Sequence, residues 1–257
     1  MSNIDLAIIG FGRIGRIHAA NILAAEDISL KMIVDPLLDV DERLVNKGIK
    51  QSKNIVDLLN LKNIDGVIIC SPSNYHVDQI KQVSQNIKNI FCEKPLGLSI
   101  NEIMEVKSLV DNNKLNLHVG FNRRFDPDFS SLKTAISSGE IGDIHTIKII
   151  SRDPSPPPIS YIKKSGGIFL DMTIHDFDMV KYLSGSEISE IYAKGGCFID
   201  PEIKKANDID TAIINMSLKN GALAIINNSR KAVYGYDQRI EILGSKGGLK
   251  VGNKLLN

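Results

Sequence analysis

The sequence predicts an α/β protein whose first half forms a parallel sheet and whose second half forms an α+β domain with a mostly antiparallel, open sheet. Three observations support this prediction. Short, almost continuous apolar runs alternate with helical patterns up to about residue 121, as in a parallel sheet covered on both faces. Beyond that point, long strand-like segments follow one another with few helices. The dipeptide Asn220-Gly221, which lies between two of these segments, is a strong hairpin signal.

The first half contains the predicted parallel strands and the helices between them. Its strands are predicted at residues 5–10, 28–35, 66–71, 89–93 and 115–120. Helical patterns occupy residues 13–25 and 74–86, and a third helix is predicted from about residue 100 to about residue 111. Ser99 and Glu102 form a capping box at the start of this third helix, because each side chain can bind an N–H group at the helix N-terminus.

The second half follows a different pattern. A helix is predicted at residues 126–137, and strands are predicted at residues 143–152, 188–198, 208–218, 222–231 and 238–243. The change in pattern falls between about residues 121 and 125. We therefore expect two domains, at residues 1–121 and 122–257.

The composition excludes several functional classes. Of the 257 residues, 43% are apolar and 24% are charged, which is typical of a folded globular protein. Lys and Arg number 31 against 30 Asp and Glu, so general attraction to nucleic acid or to an anionic membrane is not expected. No apolar run has the length of a membrane span, and no secretory signal is recognisable. Three widely spaced cysteines indicate a reduced, cytoplasmic protein.

A glycine-rich turn follows the first predicted strand. Gly10, Gly12 and Gly15 form a GxGxxG pattern between a strand and a helix, and Asp35 lies 20 residues past Gly15, at the end of the second strand. In a Rossmann domain this context binds a dinucleotide, with the pyrophosphate at the helix N-terminus and the acidic residue on the adenine ribose. The charge of Asp35 disfavours a 2′-phosphate, so NAD is predicted rather than NADP. The alternative is a glycine-rich turn without a ligand.

A second candidate segment follows the strand predicted at residues 66–71. Ser71, Pro72 and Asn74 lie at the carboxyl end of that strand, where open parallel sheets bind ligands. The alternative for these residues is an ordinary helix entry. His76 is either a cofactor contact or a partly exposed residue in the first turn of a helix.

A third candidate segment ends the strand predicted at residues 89–93. Glu93 and Lys94 are followed by Pro95, which fixes the backbone and places an ammonium group where nicotinamide and substrate are expected to meet. Spacing alone favours an exposed ion pair instead. The residues predicted to bind the cofactor are Gly10, Phe11, Gly12, Arg13, Ile14, Gly15, Asp35, Ser71, Pro72, Asn74, His76, Glu93 and Lys94.

A candidate catalytic group lies in the second half. Asp171, His175 and Asp178 are spaced i, i+4 and i+7, which places them on one face of a predicted helix. A histidine flanked by carboxylates has the chemistry of a general base at physiological pH. The alternative is a histidine on a helix face without a catalytic role. A neighbouring stripe is predicted to pack into the core: Leu170, Ile174 and Phe177.

Several motifs together carry a family resemblance. The segments GFGRIGRIH, CSPSNYH and CEKPL, with Asp35 between the first two, resemble the Gfo/Idh/MocA oxidoreductases. Residues 151–158, 165–178 and 234–239 resemble the inositol 2-dehydrogenase branch of that family. The resemblance extends from residue 4 to about residue 251.

The resemblance implies an activity and assigns roles to residues. It implies NAD-dependent oxidation of myo-inositol to 2-keto-myo-inositol (scyllo-inosose). In this scheme His175 accepts the proton of the substrate hydroxyl, Asp171 orients His175 and the ring of the substrate, and Lys94 hydrogen-bonds the same hydroxyl. The residues that match the polyol pocket are Asn122, Arg123, Asp153, Thr173 and Tyr236. We interpret His18, His118 and His145 as structural, and predict no metal site.

The resemblance also bears on assembly and on the competing functions. Members of the family are commonly tetramers through the open face of the second sheet, so a homo-oligomer is expected. They continue for several tens of residues beyond residue 247, so this sequence is expected to be shortened at its C-terminus. The alternatives are another polyol or sugar dehydrogenase, an NAD-dependent glycosidase of the same family, and an inactive, NAD-binding remnant.

Overall fold

A computed structural model describes residues 4–253 of the chain. The chain forms two compact units, and the division between them lies between Gly120 and Phe121. The sheet of the first unit is entirely parallel, and the sheet of the second is mostly antiparallel, which confirms the predicted fold class.

The first unit is a Rossmann-like six-stranded sheet with strand order β3-β2-β1-β4-β5-β6. Its strands are β1 (Ile4–Ile9), β2 (Ile28–Val34), β3 (Lys50–Ser52), β4 (Gly66–Ile69), β5 (Asn89–Cys92) and β6 (Asn116–Val119). Its helices are α1 (Arg13–Ala24), α2 (Glu42–Val45), α3 (Ile55–Leu59), α4 (His76–Val83) and α5 (Ile100–Asn113). The order reverses between β1 and β4, and the loops that follow these two strands carry the glycine-rich turn and Ser71.

The apolar runs of the first unit are continuous because both faces of the sheet are buried. Along β1, Ala7 and Ile9 belong to one apolar cluster and Ile8 belongs to another. Successive side chains of a strand point to opposite faces, so each of these two clusters lies on its own side of the sheet. The strand β3 was not predicted, because its three residues Lys-Gln-Ser carry no apolar pattern.

The capping box at the start of α5 is confirmed. Ser99 Oγ accepts a hydrogen bond from the Glu102 N–H at 3.3 Å, and Glu102 Oε2 accepts one from the Ser99 N–H at 3.0 Å. The helix ends where Lys114 takes a left-handed conformation, with φ 51°.

The second unit is a six-stranded mixed sheet with strand order β12-β11-β7-β10-β9-β8. Its strands are β7 (Ile144–Arg152), β8 (Ile188–Gly196), β9 (Thr211–Leu218), β10 (Leu223–Ser229), β11 (Asp237–Gly244) and β12 (Gly248–Gly252). Its helices are α6 (Pro127–Ser137), α7 (Ile159–Ser165), α8 (Ile174–Ser184) and α9 (Pro201–Lys205). Only the pair β7 and β10 is parallel.

The predicted hairpin joins β9 and β10. The Leu218 N–H donates to the Ala222 carbonyl at 2.9 Å, and Gly221 has a φ of +88°, which a glycine adopts without strain. The strand β12 was not predicted, since Gly248–Gly252 contains two glycines and no long apolar run.

One face of the second sheet is packed and the other is open. Side chains of α6 and α8, among them Leu132 and Leu183, pack with Ile214 of β9 to form the core. The residues on the opposite face, including Ile213 and Leu223, are exposed. This difference between the two faces explains the alternating apolar pattern of the long strands.

The helix predicted around residues 171–178 is not uniform. Residues Phe169–Thr173 form a π-helical segment, and α8 begins only at Ile174. Because a π-helical turn is wider than an α-helical one, the i, i+4 spacing does not align Asp171 with His175 on a regular helix face. Of the predicted core stripe, Phe177 packs against the core of the second unit, and all three residues, Leu170, Ile174 and Phe177, are half-buried. The fully enclosed apolar residues of α8 are Met179, Val180 and Leu183.

Among residues 4–253 the structure contains no helix with the length and apolar character needed to cross a lipid bilayer. In the same part of the chain, no group of three or more His, Cys, Asp or Glu side chains is arranged to hold a metal ion.

A buried carboxylate fixes the turn that leads into α9. Asp210 is fully buried, and its Oδ2 accepts hydrogen bonds from the N–H groups of Phe198 and Ile199 at 3.0 and 2.8 Å. Burial by itself raises the pKa of the Asp210 carboxyl, but these N–H groups together with the Cys197 thiol and the Thr211 hydroxyl lower the pKa by more, so that it lies below its usual value.

We expect Asp210→Asn to destabilise the protein by about 1–3 kcal/mol at neutral pH, because an amide cannot accept all of these hydrogen bonds. Since the folded pKa is the lower one, the stabilisation is present above the unfolded pKa of about 3.9 and is lost as pH falls through the folded pKa. Urea unfolding at about pH 7 and about pH 3 measures this, and the difference from wild type should shrink at the lower pH. The exposed Asp143→Asn is the control, and a difference independent of pH would contradict the assignment.

Candidate functional site

The glycine-rich turn of the first unit is tightly packed at two of its glycines and open at the third. A Cβ atom at Gly10 would lie 2.4 Å from the Ser71 nitrogen, and one at Gly15 would lie 2.0 Å from the Gly10 carbonyl oxygen. These two glycines are therefore required by packing. A Cβ atom at Gly12 would meet nothing within 4 Å, and Gly12 begins α1 with no side chain capping the helix. This open N-terminus fits the phosphates of a dinucleotide.

Asp35 connects the end of β2 to the same turn. Its Oδ2 accepts a hydrogen bond from the Phe11 N–H at 2.7 Å, and its Oδ1 accepts one from the Leu37 N–H at 2.8 Å. Each carboxylate oxygen can accept a further hydrogen bond, so the half-buried group fits two ribose hydroxyls. The Phe11 side chain lies in the core, so only its backbone faces the turn. Next to the turn, Arg13 is exposed and Ile14 is half-buried.

The segment after β4 divides into exposed and buried parts. Pro72 and Asn74 are exposed, and Ser71 Oγ donates to Gln79 Oε1 at 2.5 Å. His76, in contrast, is 1% exposed, and both of its ring nitrogens face backbone oxygens. The two predicted interpretations of His76, a cofactor contact and a partly exposed helix residue, are both corrected, because the ring lies inside the unit.

The segment after β5 is held by a histidine. Glu93 Oε1 lies 2.8 Å from Nε2 of His18, a residue of α1. The exposed ion pair expected between Glu93 and Lys94 is therefore not the contact that the structure shows for Glu93. The spacing of His18, which we interpret as structural, does not indicate this carboxylate neighbour, because the contact joins residues 75 positions apart. Lys94 is half-buried, and the Lys94–Pro95 peptide bond is cis.

In the second unit Asp171 accepts hydrogen bonds from a tyrosine and from a buried arginine. The Tyr161 hydroxyl donates to Asp171 Oδ1 at 2.8 Å, and Arg230 Nη1 donates to Asp171 Oδ2 at 3.2 Å. Arg230 is fully buried, and its Nη2 donates to Asp208 Oδ2 at 3.1 Å. The sequence does not single out Tyr161, Arg230 or Asp208, because no motif connects them with Asp171, from which Tyr161 and Arg230 lie 10 and 59 positions away.

His175 lies in the first turn of α8 and is half-buried. Its ring meets the Phe121 ring edge to face, with centroids 6.4 Å apart. Asp178, predicted on the same helix face, is buried and accepts a hydrogen bond from Arg124 Nε at 2.8 Å. The role left open for Asp178 is therefore that of an ion-pair partner for Arg124.

A buried polar network surrounds Asp176, which sequence analysis did not single out. The fully buried carboxylate accepts hydrogen bonds from Arg123, from Ser151 Oγ at 2.6 Å and from Asn228 Nδ2 at 2.7 Å. Thr173 Oγ1 donates to Asn228 Oδ1 at 2.6 Å and is completely buried. The predicted place of Thr173 in an open pocket is corrected, because its hydroxyl is enclosed in this network.

Three of the predicted pocket residues line one cavity of the second unit. Asn122, Arg123 and Tyr236 contribute to a largely polar cavity of about 320 Å³. The Tyr236 hydroxyl donates to Gln238 Oε1 at 3.2 Å, and burial raises the pKa of Tyr236. Asp153 is not among the residues that line this cavity. Burial also raises the pKa of the Asp153 carboxyl, and the charge of Arg230 offsets this only in part.

Both halves of the chain match models of known protein families. One family model, an oxidoreductase family with an NAD-binding Rossmann fold, matches residues 4–121, and the GFO/IDH/MocA C-terminal domain matches residues 129–250. The chain is 46% identical to the myo-inositol 2-dehydrogenase of Thermotoga maritima, over 94% of this chain and 73% of the relative. It is 41% identical to an inositol 2-dehydrogenase of Rhizobium meliloti, over 98% and 76% of the two chains.

A solved structure shows the same fold. The crystal structure of scyllo-inositol dehydrogenase from Lactobacillus casei, with bound NAD(H) and scyllo-inositol, matches with a TM-score of 0.88. The two sequences are 33% identical, and the match covers 97% of this chain and 76% of the other.

Proposed function

The chain belongs to the GFO/IDH/MocA family of oxidoreductases, and from this premise we propose that it oxidises myo-inositol to 2-keto-myo-inositol with NAD. The observation that carries the proposal is the 41–46% identity to relatives named inositol 2-dehydrogenases over almost the whole chain. The polar side chains of the second unit support it, since a neutral polyol needs several convergent hydrogen-bonding groups and no strong field of one sign.

NAD is held by the first unit. The N-terminus of α1 at Gly12 offers N–H groups to the pyrophosphate, and Asp35 accepts hydrogen bonds from the adenine ribose. The negative charge of Asp35, beside the Phe11 N–H, disfavours a 2′-phosphate and so favours NAD over NADP. When bound, NAD supplies the acceptor for the hydride that leaves the substrate carbon.

Three side chains are assigned to the substrate hydroxyl that is oxidised and to the transfer of its proton. Oxidation of an alcohol removes a proton from oxygen and a hydride from the same carbon, and His175 takes the proton as general base. Asp171 orients His175 and the polyol, and its own orientation is supported by the hydrogen bonds from Tyr161 and Arg230. Lys94 donates a hydrogen bond to the reacting hydroxyl and favours its alkoxide-like transition state. The remaining hydroxyls are assigned to Asn122, Arg123, Asp153 and Tyr236.

Turnover by the purified chain tests the proposal. NADH formation is followed by absorbance with myo-inositol, scyllo-inositol and glucose, and myo-inositol should give the highest kcat/KM. NADH produced in proportion to inositol excludes the glycosidase alternative, and preference for glucose would favour another sugar dehydrogenase. A folded chain that binds NADH and oxidises no polyol would contradict the proposed function.

We also propose a cytoplasmic homo-oligomer that associates through the open face of the second sheet. Exposed apolar side chains on this face, such as Ile213 and Leu223, would be buried by a second copy. Sedimentation equilibrium measures the state directly, and a monomer at micromolar concentration would contradict this part of the proposal. The three cysteines are all free, which fits a reducing compartment.

The cofactor preference is predicted to depend on Asp35. We expect Asp35→Ser to reduce the ratio of kcat/KM for NAD to that for NADP by at least about tenfold, because a charged acceptor for the ribose is lost. Steady-state kinetics with both cofactors measure the ratio. Asp39→Ser, an exposed carboxylate four residues further on, is the matched control. An unchanged ratio in Asp35→Ser would remove Asp35 from the ribose site.

A further inference from the structure

We propose that His18 and His76 are positioning residues that hold the Glu93–Pro95 segment from its two sides and thereby place the Lys94 ammonium group. The inference deepens the proposed function and rests on it, because the proposed function is what assigns Lys94 to the substrate hydroxyl. His18 had been interpreted as structural, and His76 as a cofactor contact or an exposed helix residue. The contacts of the two rings point to this different role for both.

His18 holds the N-terminal side of the segment through the Glu93 carboxylate. The His18 Nε2 to Glu93 Oε1 distance is 2.8 Å, and both side chains are mostly buried, with exposed fractions of 23% and 21%. The His18 ring also packs edge to face on Phe91, with centroids 5.3 Å apart. A Cβ atom at Gly120 would lie 3.1 Å from Glu93 Oε2, so the carboxylate is confined on that side as well.

His76 holds the C-terminal side through the backbone. Its Nδ1 lies 2.8 Å from the Pro95 carbonyl oxygen, and its Nε2 lies 2.8 Å from the Ser71 carbonyl oxygen. Pro95 follows β5 and Ser71 follows the neighbouring strand β4, so one buried ring joins the two loops at the carboxyl edge of the sheet. The two nitrogens lie at different corners of a rigid ring, so a neutral imidazole donates a hydrogen bond to one of these carbonyl oxygens and packs its other nitrogen against the second, whereas a protonated ring donates to both.

These contacts fix the segment on both sides of Lys94, whose ammonium group lies at the end of a four-carbon side chain. Such a side chain has many rotamers, and its tip moves with any shift of its backbone. A displacement of about 1 Å at a reacting group can lower a rate about 100-fold. The pair of contacts made by His18 and His76, called the bracket below, therefore acts on catalysis through Lys94. Neither histidine needs to touch the substrate.

The test compares variants that remove the polar contact with variants that keep it. His18→Phe retains the ring packing on Phe91 but loses the nitrogen that faces Glu93, whereas His18→Gln retains a polar group for Glu93. His76→Phe and His76→Gln are the equivalent pair inside the unit. His145→Phe, at an exposed position on β7, is the matched control.

We expect the phenylalanine variants to lower kcat for inositol about 10- to 100-fold, with the Kd of NADH changed by less than about threefold. The glutamine variants should recover most of the loss. Thermal unfolding identifies the variants that remain folded, and the glutamine pair keeps the test valid if a phenylalanine variant does not fold. Folded variants of both histidines with wild-type kcat would overturn the inference.

A second measurement does not depend on turnover. The rate at which acetic anhydride acetylates Lys94 is measured by peptide mass spectrometry, relative to the exposed Lys53 as internal standard. We expect the relative rate to rise severalfold in the phenylalanine variants and to stay unchanged in His145→Phe. If the wild type oxidises no polyol but the rate rises, the proposed function fails while the bracket stands. If turnover is normal and neither kcat nor the labelling rate responds, the bracket fails alone.

Discussion

We expect His175→Ala to lower kcat for inositol oxidation by about 10²–10⁴-fold, the range that a positioned general base contributes. Without the imidazole, the hydroxyl proton must leave to water, and the hydride cannot depart from a carbon whose oxygen remains protonated. The Kd of NADH should stay within about threefold of the wild-type value, because the groups assigned to the nucleotide belong to the first unit.

Two further variants distinguish the loss of the general base from a general disturbance of the structure. His175→Gln keeps a polar side chain of similar size but no group that can take a proton at neutral pH, so its kcat should be as low as that of His175→Ala. His145→Ala removes an exposed histidine from β7 and should behave as wild type. Substantial turnover by either His175 variant refutes the assignment of the base.

The features of the first unit that depend on local sequence could be predicted, whereas the role of its residues in holding the cofactor stays a prediction. The Gly10–Gly15 turn, Asp35 and the capping box at Ser99 each combine a short motif with an adjacent strand or helix. The hairpin at Gly221 belongs to the same class, since a left-handed turn residue between two apolar runs specifies it. Strand ends differed from the structure by only one to three residues where the apolar run was long.

Contacts between distant residues could not be predicted in this way. The His18–Glu93 contact and the Arg230–Asp171 ion pair join residues separated by 75 and 59 positions, and nothing in their spacing connects them. The burial of His76 depends on two carbonyl groups, which every residue possesses and no pattern reveals. The π-helical segment Phe169–Thr173 could not be predicted either, because a pattern with a period of 3.6 residues assumes an uninterrupted α-helix.

We expect Arg230→Met to reduce the free energy of unfolding by about 3–5 kcal/mol, the cost of removing one partner from a buried ion pair. Arg230 is fully buried and binds Asp171 and Asp208, and Asp208 Oδ1 in turn accepts a hydrogen bond from the Ile168 N–H at 3.0 Å. Methionine fills much of the same volume, so the expected loss reflects the removal of this cation from two carboxylates more than the creation of a cavity.

Urea unfolding at neutral pH measures the reduction in the free energy of unfolding. Two other variants provide the values with which this reduction is compared. Arg43→Met breaks an ion pair with Asp41 on the surface, where Arg43 is almost entirely exposed, and should leave stability nearly unchanged. Arg230→Lys keeps the charge but cannot reach both carboxylates with a planar fork, so its stability should lie between wild type and Arg230→Met. Equal stability of Arg230→Met and wild type would mean that the two carboxylates find other partners.

The Arg230 variants also connect stability with catalysis through Asp171. In Arg230→Lys the carboxylate retains the Tyr161 hydroxyl but loses part of its second contact, so Asp171 should hold His175 and the polyol less firmly. We therefore expect kcat of the folded Arg230→Lys protein to fall about tenfold, in the range seen when groups that orient a functional residue are changed. Tyr161→Phe removes the tyrosine hydrogen bond to Asp171 from a partly exposed position and should lower kcat with little loss of stability. If kcat follows stability across these variants rather than the number of hydrogen bonds to Asp171, Arg230 serves the fold alone.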